Sequence, residues 1–323
     1  MTLVPTGSRR SVAGRSAGAI TAALVLQLPP PALAGGITID SREYKLLLTL
    51  TDFAGDPNAR AAEFWNGNLK PIISTHLDRR ESGESRAKKS FVLRHQRRVS
   101  FKDTAGCTLS LAGFSYRERA AITAEPGGAA TVETTLKFRS PDIFISNASS
   151  FAGQGEAKSK FEEDISIPIQ GAKTRSGYSH SVSQKQAGLS PPATLKDVMD
   201  TYPGAWSWLE SVSTKPPQLG ANLIAGPVFA ELVFSRAEVD LGHDADAEFD
   251  FTFWYPASDA SRTQPALVEI SFSYNTDDGE VDSNIALRAS KLFVAMQSEL
   301  SAMIAPGSQS KTSWALPSDC QEN

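Results

Sequence analysis

The chain has 323 residues, 41% hydrophobic and 21% charged, which is enough for one large domain or two small ones with a sizeable core. A formal net charge of −4 argues against a general nucleic-acid binder, which needs a basic face overall. Beyond the first residues no apolar run approaches the ~20 residues that span a bilayer, so no membrane span is expected in the mature chain.

The N-terminus reads as a leader. Arg9, Arg10 and Arg15 precede the apolar run AGAITAALVLQL, and Ala32-Leu33-Ala34 offers a small-residue cleavage site. Positions 1–34 are therefore expected to be a signal peptide cut near Ala34, and the mature protein to be exported, periplasmic or secreted. A disordered tail is the alternative. Losing the leader removes three arginines and no acid, so the mature chain is more acidic still.

A first strand is expected over 37–50, with Tyr44, Leu46, Leu48 and Leu50 on one face and Glu43 and Lys45 on the other. Asp56-Pro57 reads as an N-cap and first helical residue, opening a short helix through Trp65. Positions 78–89 form a polar loop. Strands then follow at 93–102, 113–121 and 130–139, the last two joined by a Glu-Pro-Gly-Gly turn. A fifth strand covers 161–169. The Ser-, Gly- and Gln-rich stretch 171–191 reads as a loop. Thr194 with Asp197 resembles a capping box, and Pro203-Gly204 separates that helix from a second piece carrying Trp206, Trp208 and Leu209. Three more strands are expected at 227–239, 247–255 and 266–274. From Ser283 the spacing turns helical, with Ile285, Ala289, Leu292, Phe293, Met296, Leu300 and Met303 on one stripe that Pro306 ends.

Several strands carry charge at i and i+2, which places both groups on one face. The pairs are Glu43 and Lys45, Arg117 and Arg119, Lys137 and Arg139, Glu162 and Asp164, and Glu248 and Asp250. Strands that are apolar on one face and carry charge of both signs on the other can close around a charged interior. The expected fold is α+β, an eight-stranded antiparallel closed or nearly closed barrel over 35–305 with a few covering helices, followed by a polar C-terminal tail over 306–323. A half-solvated sheet is the alternative reading of the same alternation.

Phe101-Lys102-Asp103-Thr104, then Leu111, Gly113 and Arg117-Glu118-Arg119, resemble the signature of the CYTH, or triphosphate tunnel metalloenzyme, superfamily, which includes class IV adenylyl cyclases and thiamine triphosphatases. Lys137-Phe138-Arg139, Glu43-x-Lys45, Glu162-x-Asp164, Arg236 and Glu269-x-Ser271 are similar to its other motifs, in the family's order. The resemblance implies an antiparallel tunnel that binds a small triphosphate-like polyanion through Lys45, Arg117, Arg119, Lys137, Arg139 and Arg236. It also implies a divalent cation, Mg2+ or Mn2+, on Glu43, Glu162, Asp164 and Glu269, and Asp250 or Asp246, which share a face with Glu248, is the substitute for a missing carboxylate. Such chemistry is physically reasonable, because magnesium takes oxygen ligands and arginine forks hold phosphate oxygens. Ser41 and Ser271 stand where the family carries carboxylates. A metal-dependent phosphohydrolase, a non-catalytic polyanion binder and a structural envelope protein are the readings carried forward.

Other chemistries find little in the sequence. His76, His95, His180 and His243 are scattered without a zinc motif, and no nucleophile elbow, Walker loop or dinucleotide fingerprint is present. Cys107 and Cys320 either pair in an oxidising compartment or remain one buried and one free thiol.

Overall fold

The computed structural model describes Met1 and residues 36–122, 131–167, 174–187, 192–306 and 310–321. The leader lies outside the described residues. Ile37–Asn323 forms one compact unit. Its strands are β1 (Ser41–Leu48), β2 (Ala87–Lys88), β3 (Val92–Thr104), β4 (Phe114–Ala121), β5 (Thr131–Ser140), β6 (Lys158–Ser166), β7 (Arg175–Ala187), β8 (Leu223–Ala225), β9 (Phe229–Gly242), β10 (Ala245–Pro256) and β11 (Leu267–Asn275).

They form a single sheet in the order β2-β9-β10-β11-β1-β6-β7-β5-β4-β3-β8. Because β3 also pairs with β9, the hydrogen-bonded path returns to its start and the strands ring round an interior. The sequence reading of eight antiparallel strands is thus corrected to eleven among the described residues, and one neighbour pair, β1 with β6, is parallel. Two of the additional strands, β2 and β8, are short. The third is β7, in the stretch read as a loop. It pairs with β5 along one edge and β6 along the other. Its inward positions are Ser179, Ser181 and Ser183 rather than apolar residues, so it carries no hydrophobic alternation to read. Ladder hydrogen bonds and a polar interior hold it instead.

The core lies outside the ring. Tyr44, Phe249, Phe251, Phe253 and Phe272 point outward and pack on Phe53 and on α1 (Pro57–Phe64), α2 (Lys70–His76) and the later long helix Ser283–Glu299. A π turn, Trp65–Leu69, joins α1 to α2 and buries Trp65. Local chemistry starts the helices as expected. The Asp56 side chain accepts from Asn58 N at 3.1 Å, and Thr194 and Asp197 form the capping box. Two short helices, α3 (Thr108–Leu111) and α4 (Ile143–Ala148), follow β3 and β5. A second cluster seats α5 (Leu195–Thr201) and α6 (Ala205–Val212) against Tyr116, Leu136 and Val182. With α7 the long helix, these helices pack on the outer face, whereas α8, Lys311–Ala315, packs at one end of the inner face.

Gly113 is fixed by two constraints at the start of β4. Its φ is +79°, and a Cβ there would stand 2.7 Å from the Arg139 carbonyl oxygen. Asp103, part of the motif that carries the family resemblance, is fully buried and accepts from the backbone of Thr104, Leu109 and Ser110. Its role is to hold the turn into α3. At the far side, β9 carries one extra residue opposite Asp250, and Arg236 takes a φ of +80° at that bulge.

Candidate functional site

The inner face of the ring lines a cavity of about 490 Å³, within the range of small-molecule sites. Nine lysines and arginines line it against six carboxylates, with Asp164 bonded to several of them, so the interior is cationic within an acidic chain. Lys45, Arg117, Arg119, Lys137 and Arg139 all reach it, as do Glu43, Glu162, Asp250 and Glu269. Arg236 does not. The bulge turns it to solvent, where it is exposed and its backbone N–H donates to Glu248 at 3.0 Å. That corrects its expected place among the anion-binding groups, which rested on the family resemblance: Glu231 and Val233 of the same strand line the cavity, whereas Arg236 sits at the bulge and does not.

One group of charges gathers where β1, β5, β6 and β7 meet. The oxygens of Glu43, Glu162 and Asp164 lie within 4.8 Å of one another. Lys45 Nζ stands between them, 2.8 Å from Glu43 and 2.7 Å from Asp164. Lys137 is 3.3 Å from Asp164 and 3.5 Å from Glu162, Arg139 donates to Asp164 at 3.1 Å, and Lys160 is 2.7 Å from Glu162. Burial alone would raise both acids. Lys137, Lys160 and Lys45 outweigh it and hold Glu162 at about 2, and Lys137, Lys45 and Arg139 hold Asp164 well below the usual carboxylate range. Ser41, fully buried, donates to Glu162 at 3.1 Å, and Ser179 donates to Asp164 at 3.2 Å.

Three converging carboxylates offer the oxygen donors that a hard divalent cation takes, so this cluster could hold one in place of the Lys45 ammonium. Asp250 and Glu269 lie elsewhere on the wall. Asp250 accepts a short hydrogen bond from Ser235, and Glu269 pairs with Lys311 at 2.6 Å. The five carboxylates expected as one metal set therefore separate into a cluster of three and two independent groups.

A second group centres on Glu231, a fully buried carboxylate on β9. Arg97 Nε donates to it, Arg119 Nη2 donates at 3.0 Å and Trp254 Nε1 at 3.1 Å. Sequence reasoning missed Glu231, Arg97 and Lys311. A lone acid in the apolar run FAELVF was the available signal for Glu231, since a carboxylate there needs buried partners. Lys311 had none, because it arrives from outside the ring.

Between the two groups stands Arg117. It donates to Thr135 at 3.2 Å, and Thr135 in turn meets Ser183 at 2.8 Å. Among the described residues no carboxylate pairs with it, and its buried Nε, like that of Arg119, has no hydrogen-bond partner. Burial, then the neighbouring Arg119 charge, pulls Arg117 down to about 9 against the pull of Glu231 and Glu133, so at neutral pH it stays charged with no directly paired carboxylate among the described residues. Burial likewise lowers Lys137, against the pull of Asp164 and Glu162. Asp250 has the complementary character. Burial raises it, against the Ser235 hydrogen bond, with Glu43 and Glu248 adding to the rise.

A raised acid makes a stability prediction. The unfolded carboxyl ionises near 3.8 and the folded one higher, so the unfolded state binds fewer protons in that interval and stability falls as pH rises through it. Asp250→Asn, which keeps an acceptor for Ser235, is expected to raise the thermal midpoint at pH 7 and to leave it unchanged below pH 3.5. Thermal melts at the two pH values check this. A midpoint that drops at pH 7 would show that Asp250 is ionised and compensated.

Fold and site together define an α+β protein whose strands ring round a cationic cavity with a carboxylate cluster on its wall. No family model matches the chain, and no curated protein does. Among solved structures it is similar to a candidate adenylyl cyclase from Hippeastrum, described as having a dominant triphosphatase activity. That match has 14% identity and a TM-score of 0.37 over 84% of this chain and 93% of the other. A candidate adenylate cyclase from Bacillus halodurans matches at 10% identity and a TM-score of 0.35, over 84% of this chain and 94% of that one. Superpositions this loose leave the site to be read from its own residues.

Proposed function

We propose that the cavity binds a small linear polyanion of the triphosphate type, and that the protein is an exported, CYTH-like phosphohydrolase acting on it with a divalent cation. The observation that carries the reading is Arg117. A half-buried guanidinium with no carboxylate paired to it among the described residues is costly unless an anion arrives to meet it, and a phosphate fits its fork. Arg119 Nε and the lowered Lys137 face the same space and would take further phosphate oxygens.

Magnesium or manganese on Glu43, Glu162 and Asp164 would stabilise negative charge developing on phosphate oxygens. The chain's own residues supply the rest. Arg117, Arg119 and Lys137 bind and orient the chain of phosphates. Arg139 and Lys160 hold Asp164 and Glu162 ionised. Asp250, which no cation pairs among the described residues, would accept the proton of an attacking water. The leader motif and the Cys107–Cys320 disulfide support placement in an oxidising compartment.

A second reading has its own observation. Lys45 Nζ occupies the centre of the carboxylate cluster, and Ser41 and Ser271 supply hydroxyls where more carboxylates would strengthen a cation site. An internal ammonium there favours a binder that does no chemistry. Phosphate release from tripolyphosphate with magnesium or manganese, measured beside calorimetric binding without metal, separates the two. Release is expected, and Asp250→Asn should abolish release while keeping binding. Binding without release under any metal would select the second reading, and no binding at all would end both.

A further inference from the structure

The stretch expected as a polar tail is part of the cavity. At one end of the ring the inward-facing residues are apolar, with Val99 opposite Phe229 and Trp254 opposite Leu267. Inward residues of an open ring would be wetted, yet these are 0%, 6%, 0% and 4% exposed. Ala315, Leu316 and Cys320 cover them. The seat is tight enough that a Cβ on Gly226 would stand 2.1 Å from the Ala315 carbonyl oxygen. Cys320 is bonded to Cys107, 213 residues earlier, in the turn between β3 and α3.

This segment carries one cation into the cavity. Lys311 lines it with Ser310 and Thr312, 2.6 Å from Glu269 and 5.7 Å from the centre of the Trp254 ring. An ammonium has three donors, and Glu269 takes one. The aromatic face and the carboxylate flank Lys311 in the cavity wall, and its other donors remain for whatever fills the cavity.

Resting on the reading of the cavity as a polyanion site, we infer that Lys311 is an anion-binding residue contributed from outside the strand ring, and that the Cys107–Cys320 disulfide is the positioning element that keeps it there. Opening the cross-link makes affinity for the anion redox-dependent. In that step a dithiol is oxidised to its cyclic disulfide while Cys107 and Cys320 take up two electrons and two protons as thiols. The freed segment then has a chain-entropy penalty for holding Lys311 in the cavity that the cross-link otherwise removes.

The test is a two-by-two cycle of tripolyphosphate affinity, measured by calorimetry without metal on the full mature chain. Lys311→Ala in the oxidised protein should weaken binding about tenfold, the size of one charge-assisted hydrogen bond, and Lys311→Arg should retain most of it. Reduction of the parent should cost a similar factor. Reduction of Lys311→Ala should cost nothing more, and this non-additivity is the signature a merely structural tail would not give. Equal binding by Lys311→Ala and parent, or an equal loss on reducing both, overturns the inference. Circular dichroism before and after reduction reports the fold. If the reduced chain unfolds, the disulfide is a structural clasp and its positioning role is wrong. An oxidised parent that takes no tripolyphosphate defeats the reading of the cavity itself, whereas a binding parent with an additive cycle defeats only this inference.

Discussion

Replacing Arg117 by Ala is expected to lower tripolyphosphate affinity about a hundredfold while the thermal midpoint holds or rises by about 2 °C. The two effects have one cause. Arg117 is charged and half-buried, has among the described residues a single side-chain hydrogen-bond partner, the Thr135 hydroxyl at 3.2 Å, and lies beside another guanidinium that repels it. Two charge-assisted hydrogen bonds to phosphate, each about 1.5 kcal/mol or more, disappear with the side chain, which sets the size of the binding loss. Removing a compensated surface arginine would change neither property much. Removing one held by a buried carboxylate would destabilise the fold. Loss of binding without loss of stability therefore marks a charge kept for a ligand. Calorimetry and a melting curve on the same preparation decide it, and an Arg117→Ala protein that binds as tightly as the parent would remove the foundation of the proposed function.

Glu231→Ala should have the opposite profile. The carboxylate is fully buried and receives hydrogen bonds from Arg97, Arg119 and Trp254. Burial would raise its pKa, but Arg119 and Arg97 outweigh that and hold it below the ordinary value. Truncation takes this acceptor from Arg97 and the indole N–H and leaves Arg119 only the more distant Glu133 at 3.9 Å, and breaking a buried pair in this way costs about 3–5 kcal/mol. Urea unfolding measures the loss. A polyanion can occupy the vacated place, so tripolyphosphate should raise the melting point of Glu231→Ala by more than it raises the parent's.

The pH dependence follows from the same group. A carboxyl ionising near 4.5 when unfolded and lower when folded stabilises fully above 4.5, and that contribution is lost as pH falls toward the folded value. Glu162, held at about 2, behaves likewise. The parent should therefore lose stability from pH 4.5 downward, and Glu231→Ala should lose it less steeply over the same interval. An identical slope in both would mean that Glu231 is not ionised in the folded protein.

The sequence by itself determined the inner face of most of the ring. Period-two alternation places Glu43 with Lys45, Arg117 with Arg119, Lys137 with Arg139 and Glu162 with Asp164 whatever the strands pair with, because side-chain direction is a local property of extended backbone. It determined the first turns of α1 and α5 too, where Asp56 and Thr194 act on N–H groups a few residues away. Tertiary structure decided what depends on distant chain. The return of β3 onto β9 and the parallel pairing of β1 with β6 close the ring, and neither leaves a mark on its own strand. Strand β7 looks like a loop because its inward serines meet Asp164 and Thr135 rather than a hydrophobic core. The resemblance places Arg236 in the cavity, whereas it stands exposed at a bulge in β9. Lys311 and Cys320 read as a polar end until the chain folds back to Glu269 and Cys107. Local geometry is written in neighbouring residues, whereas the partner of a buried charge is fixed only when distant strands meet. The cavity depends on both, since the strands supply its charges and the tertiary fold pairs no carboxylate among the described residues directly with Arg117.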